Sequence, residues 1–393
     1  MKLAQRMSRL GTETAFDVLV RAKALEAQGR EVVHLEIGEP DFDTPSNIIE
    51  AACKALHSGY THYVPSAGIP QLREVIAADI SKSRGIKVNA NNVVVTPGGK
   101  PIMFYVIMAL ADESTEVVYP NPAFPIYESM INFAGAKPVP LPLREENEFR
   151  FDVDELRNKV TPRTSLIIIN SPHNPCGSML TKEDLQAIAE VAIKNDCMVL
   201  SDEIYCRLVY EGKFESITQF PGMLERTIIL DGFSKTYAMT GWRMGYGVMP
   251  EALAGHVSKL MTNSNSCTAA FTQMAGIEAI TGPQDESYKM VAAFKERRNI
   301  IVKGLNQIPG ITCLLPKGAF YVFPNVKQVV NKGEFANTKA FADHLLNEGG
   351  VAALSGTAFG EYGEGYMRFS YANSIPNINK ALSRIADTVA KLG

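Results

Sequence analysis

The stretch Thr227-Ile228-Ile229-Leu230-Asp231-Gly232-Phe233-Ser234-Lys235, continued by Thr236-Tyr237-Ala238-Met239-Thr240-Gly241-Trp242-Arg243-Met244-Gly245-Tyr246, decides how the rest of the chain is read. An apolar β-type run followed by a turn at Asp231-Gly232 places Lys235 on the loop leaving a buried strand. A lone lysine in such a loop is more often solvated, because Lys is seldom buried without a reason. This one has company. Arg243 sits between glycines in Gly241-Trp242-Arg243-Met244-Gly245, a frame that lets backbone or a ligand approach closely. An amine that can lose its proton and attack a carbonyl stands near a guanidinium whose planar fork suits phosphate oxygens.

Other predicted strands end in the same way. Leu166-Ile167-Ile168-Ile169-Asn170 carries no charge, as expected of a strand covered on both faces, and runs into Ser171-Pro172-His173-Asn174-Pro175-Cys176-Gly177. Cys197-Met198-Val199-Leu200-Ser201 leads to Asp202-Glu203-Ile204-Tyr205. Asp202 lies 28 residues after Asn174 and 33 before Lys235, each at the carboxyl end of its own strand. Open parallel sheets bind ligands along that edge. Upstream, the strand Val93–Thr96 gives way to Pro97-Gly98-Gly99-Lys100 and an apolar helix from Pro101 to Leu110. A glycine turn at a helix start presents free N–H groups and the positive end of the helix dipole to an anion. It is not a nucleotide P-loop, since Val94 occupies the first glycine position and Pro101 follows Lys100.

A chain of 393 residues exceeds one ordinary core, so two domains, or one large α/β domain with an appendage, are expected. With 46% hydrophobic and 21% charged residues it has an ordinary globular composition. A net charge of −3 gives no electrostatic reason for a nucleic-acid partner. No apolar run near the start reads as a signal or a membrane span, and the expected compartment is the cytoplasm. Six scattered cysteines form no C-x-x-C pair and read as free thiols; no metal site is expected.

Taken together, Ser234-Lys235 with Gly241-Trp242-Arg243, and Asn170 to Gly177, resemble the cofactor segments of the class I/II aminotransferases, the aspartate aminotransferase group of the fold type I pyridoxal-phosphate (PLP) enzymes. The matched segments run in the family's order from Gly38 to Arg368. The resemblance implies an α/β fold with a mainly parallel seven-stranded sheet flanked by helices. It implies a large cofactor-binding domain over 45–290, and a smaller α+β domain formed by 1–44 and 291–393.

By the same resemblance, Lys235 attaches the cofactor and shuttles the substrate proton. Asp202 pairs with the pyridine nitrogen, and Tyr205 and Asn174 serve the phenolic oxygen. Gly98, Gly99, the Lys100 amide, Ser234 and Arg243 hold the cofactor, chiefly its phosphate. Phe124 stacks on the ring where many relatives have Trp or Tyr; filling the core is its competing reading. Tyr63, in Tyr63-Val64-Pro65-Ser66-Ala67-Gly68, reaches the phosphate of a neighbouring subunit, which implies a homodimer. Arg368, in Met367-Arg368-Phe369-Ser370-Tyr371-Ala372, grips the substrate α-carboxylate. Gly38 touches substrate through its backbone, Asn174 also lies beside it, and the Lys100 side chain is a candidate for a distal carboxylate. Cys176 stands where the family has Thr and reads as a packing change.

The implied activity is ping-pong transfer of an amino group from an L-amino acid to a 2-oxo acid, with aspartate and 2-oxoglutarate as the leading pair. Transamination of alanine, aromatic or other amino acids, a C–S lyase, and a PLP-binding regulatory domain are the alternatives. The stretch Thr262–Thr268, read as polar loop, has no arginine to bring a second cation from a partner subunit, which weakens the inference toward dicarboxylates.

Overall fold

The computed structural model describes residues 1–392. Its strands are β1 (Val33–His34), β2 (Val93–Thr96), β3 (Glu116–Asn121), β4 (Lys137–Pro142), β5 (Thr164–Asn170), β6 (Met198–Asp202), β7 (Thr227–Gly232), β8 (Gly245–Val248), β9 (Tyr321–Val322), β10 (Val351–Ala352), β11 (Leu354–Ser355) and β12 (Met367–Ser370). Seven of them form one sheet in the order β2-β8-β7-β6-β5-β3-β4. Pairings from β4 across to β7 are parallel, and β8 alone runs against both of its neighbours.

Alternation along β5 shows why the sheet is covered twice. Ile167 and Ile169 face a core built with Leu185, Ile188 and Val191 of the helix Lys182–Lys194. Leu166 and Ile168 face the other way, into a core with Ile102, Val106 and Ile107 of the helix Lys100–Leu110 and Val257 of the helix Glu251–Ser264. Full burial of each such side chain stabilises the fold by about 1.5–3 kcal/mol relative to exposure, so a strand with no polar face is held in the middle layer. The helix Lys182–Lys194 begins where the sequence says it should. Thr181 accepts from the Asp184 amide at 3.2 Å and Asp184 accepts from the Thr181 amide at 2.9 Å, a reciprocal cap worth about 1 kcal/mol.

A further core gathers Val33 and Leu35 with Phe294, Ile301 and Leu305 of the helix Asp285–Leu305, Phe341 and Leu345 of Thr338–Asn347, and Ile378 and Ile385 of Ile375–Ala390. It packs on the antiparallel strands β11-β12-β9. The first and last parts of the chain meet there: β1 pairs with β10, and the Ser370 amide donates to the Leu35 carbonyl at 2.8 Å.

Several expected elements are corrected. The alternation of Val32–Ile37 suggests a strand over all six residues, but it is regular only at Val33–His34, because the Leu35 and Glu36 carbonyls accept from Ser370 and Arg368 of β12. Ile311–Leu315 is no strand and retains only an isolated bridge between Thr312 and Asn325. The polar loop read from Thr262 to Thr268 is helical up to Ser264, since Met261 is buried and the hydroxyls of Thr262 and Ser264 fold back onto carbonyls four residues earlier.

Candidate active site

At the carboxyl ends of β5, β6 and β7 a cleft of about 830 Å³ is lined by Gly38, Gly99, Lys100, Phe124, Asn174, Asp202, Tyr205, Ser234, Lys235, Arg243 and Arg368, among others. Strand register sets part of this geometry. Asn170 pairs with Asp202 across β5 and β6, the Asn170 amide donates to the Asp202 carbonyl at 2.9 Å, and its side-chain oxygen accepts from the Asn174 N–H at 2.9 Å. The Asn174 loop is thereby tied to the strand that carries the carboxylate.

Lys235 reaches the cleft floor, where its ammonium donates to the Gly38 carbonyl. It also lies over the rings of Phe320 and Tyr205, at 5.6 and 6.0 Å. Enclosure by protein pulls its pKa down to about 8, with the carboxylates of Glu39 and Glu13 partly offsetting that effect. Asp202 is buried, and burial pushes its carboxyl up to about 6. The Tyr127 hydroxyl, donating at 2.6 Å, and the Ile204 amide at 3.2 Å act against that rise. The site thus joins a base available near neutral pH to a carboxylate in want of a cation, a pairing characteristic of chemical sites.

Arg368 is buried on β12 and donates to Asn174 Oδ1 at 3.2 Å and to the Glu36 carbonyl. Its guanidinium lies 4.5 Å from the Tyr321 ring centre and 4.9 Å from that of Phe359. Its Nε has no partner among the described residues. A buried cation left incompletely bonded in a cleft is suited to an incoming carboxylate. Tyr205 and Tyr321 share a hydrogen bond of 2.7 Å, and burial holds the Tyr205 phenol protonated, as a donor must be.

At the opposite wall Gly98 has φ +92°, and a side chain there would collide with the Arg243 guanidinium. Glycine lets that fork lie against the turn, beside the first amides of the helix Lys100–Leu110, which have no partners within the helix. Arg243 itself takes a left-handed backbone, φ +52°, with Nη1 donating to the Thr240 carbonyl at 2.8 Å. Amides and guanidinium form a cradle of the kind that takes a phosphate. Ser234 is buried at the cleft wall.

Of the residues singled out in sequence, all but Gly98 and Tyr63 line this cleft, and Gly98 packs directly behind it against Arg243. Tyr63 is 87% exposed and lies outside its own chain's cleft. Tyr127, Asn170, Tyr321 and Glu13 escaped sequence reading. Nothing local marks Tyr127 as a tyrosine that will find a carboxylate 75 residues away.

A mainly parallel sheet with an amine, a carboxylate and a buried arginine converging at one edge defines an enzyme handling amino and carboxylate groups. The family model for aminotransferase class I and II matches residues 30–385. The chain is 38% identical over 393 residues to an aspartate aminotransferase of Bacillus subtilis, covering all of both chains. It is 42% identical over 388 residues to an aspartate aminotransferase of Pyrococcus horikoshii, covering 98% of this chain and 96% of that one. The solved aspartate aminotransferase of Thermus thermophilus with maleate superposes with a TM-score of 0.93 at 36% identity, covering 99% and 100% of the two chains. This chain belongs to the class I and II aminotransferases and is an amino-group transferase.

Proposed function

We propose that the protein transfers the amino group of an L-amino acid to a 2-oxo acid by a ping-pong route with pyridoxal 5′-phosphate as cofactor, and that aspartate and 2-oxoglutarate are its leading substrates. The observation that carries the reading is the convergence of Lys235, Asp202 and Arg368 on one cleft. The residues fit the cofactor: a phosphate cradle at Gly98, Gly99, the Lys100 amide, Ser234 and Arg243, a carboxylate awaiting a ring cation at Asp202, and an aromatic face at Phe124. Bound there, the cofactor supplies the electron sink that stabilises the pair released from the substrate Cα–H bond.

Around it, each side chain has one task. Lys235 would hold the cofactor covalently at rest and, as a free amine, would carry the proton away from the substrate Cα and back. Asp202, steadied by Tyr127, keeps the ring nitrogen protonated. Tyr205 and Asn174 donate to the phenolic oxygen. Arg368 clamps the α-carboxylate so that the Cα–H bond is presented to Lys235, with Gly38 packing from above. Gly38 has no room for a side chain, since a Cβ there would meet the Tyr321 hydroxyl, and this keeps its carbonyl close to the amine. The names of the relatives support aspartate as donor.

We further propose that the enzyme is a cytoplasmic homodimer in which Tyr63 completes the neighbouring site. The exposure of Tyr63 and six free cysteines support this reading. Among the described residues no helix is long and apolar enough to cross a membrane.

A panel of amino donors with 2-oxoglutarate tests the function. Amino-group transfer from aspartate is expected, and no transfer from any donor would remove it. Arg368→Ala is expected to raise KM for all amino donors alike by roughly 10²-fold; a loss confined to dicarboxylic donors would show that the arginine serves the side chain instead. Attachment of the cofactor to apoenzyme requires the unprotonated lysine. Because the pKa of Lys235 is drawn down to about 8, the attachment rate should climb as pH rises through 8 and level off above it. Stopped-flow absorbance across pH 6 to 10 would read this, and a rate still climbing toward the ordinary lysine range would contradict it.

A further inference from the structure

The outer half of the cleft holds an ion pair that the proposed reaction does not use. Glu13, just ahead of the helix Ala15–Glu26, places Oε2 2.5 Å from Lys100 Nζ, and both residues line the cleft. The ammonium stands 5.3 Å from the centre of the Phe124 ring. The other charged groups nearby are engaged elsewhere: Lys23 with Glu26 at 2.8 Å, Asp41 with Arg297 at 2.6 Å, and Glu39 with the Thr240 hydroxyl at 2.8 Å. Phe16, Leu19, Ile37 and Met103 supply apolar wall.

We infer that Glu13 is a displaceable counter-ion for Lys100 and sets how strongly the cleft discriminates between carboxylate-bearing and neutral side chains. This rests on the functional reading above, in which Arg368 takes the α-carboxylate, and on the Lys100 side chain as the candidate for a distal carboxylate. With the pair intact, the outer cleft is neutral and its apolar lining suits an uncharged side chain. A second carboxylate binds by taking the place of the Glu13 carboxylate on Lys100, so one cation keeps one anion throughout and no bare charge is left. The exchange is easy because both partners reach water, with side chains 46% and 23% exposed, and an ion pair of that kind is weakly held. A ping-pong enzyme admits two different substrates to one site in turn, and a counter-ion that steps aside for one and stays for the other serves both. Glu13 thereby taxes dicarboxylates without touching the α-carboxylate grip.

The test uses holoenzyme and two ligands that lack an amino group and cannot react, succinate and 3-phenylpropionate. Their dissociation constants are measured by titration calorimetry on wild type, Glu13→Gln, Lys100→Met and the double variant. Glu13→Gln should shift selectivity toward succinate by about fivefold, the size expected for freeing one exposed pair. Lys100→Met should shift it the other way, and adding Glu13→Gln to Lys100→Met should change nothing. An unchanged ratio in Glu13→Gln, or the same shift with Lys100 absent, overturns the inference. Transamination by a wild type whose Glu13→Gln variant shows no shift removes the Glu13 role alone. The expected shifts in a protein that transfers no amino group uphold the counter-ion and remove the functional reading.

Discussion

Replacing Lys235 with alanine is expected to abolish turnover, by about 10⁴-fold or more, and with it the covalent attachment of the cofactor. Two separate functions are lost together. Under the proposed function the amine holds the cofactor covalently, and its lowered pKa of about 8 suits it to be the base that moves the substrate proton. Proton transfer by a positioned side chain contributes roughly 10²–10⁴-fold by itself. The side chain's own packing is modest, so the variant should fold. Borohydride reduction followed by mass measurement checks the attachment, since wild type should gain the mass of the cofactor and the variant should not. Full activity in Lys235→Ala would dismiss the assignment.

Asp202→Asn should lower kcat by roughly 10³-fold, in the range known for removal of one preorganised electrostatic group. The amide keeps the shape and a hydrogen-bonding atom for Tyr127, but it lacks the charge that holds a proton on a ring nitrogen. Stability should move in the opposite direction. Burial raises the folded-state pKa of Asp202 from 3.8 to about 6, so the unfolded chain ionises it more readily than the native one. The native apoenzyme therefore bears a penalty above pH 6, on the order of 3 kcal/mol, which fades as pH falls from 6 toward 3.8. Apo-Asp202→Asn should melt above apo wild type at pH 7, and the gap should close toward pH 4. A variant that melts lower at pH 7 and keeps its kcat would give Asp202 a purely structural part.

Much of this site was legible because its chemistry falls at strand ends, where short-range rules apply. The uncharged run Leu166 to Ile169 announced a central strand. Residues following those strands, Asn174, Asp202 and Lys235, then had to share an edge. Their assignment to roles came from likeness to a family, not from spacing. What escaped was long-range pairing. Glu13 and Lys100 are 87 positions apart and Tyr127 and Asp202 are 75 apart, and no local pattern joins them. Ile311–Leu315 has the composition of a strand, yet it pairs only at the Thr312–Asn325 bridge, with Ile311 and Cys313 buried and Leu314 and Leu315 left exposed.

The contact between Arg368 and the carbonyl of Glu36 spans 332 residues. Closing a loop of that size costs chain entropy that the contacts formed around its ends must offset. On the ribosome, the carboxylate clamp proposed at Arg368 cannot exist until that residue is made, 125 positions after Arg243. A nascent polypeptide can assemble its phosphate cradle long before it can hold an amino acid, and its competence to react arrives last.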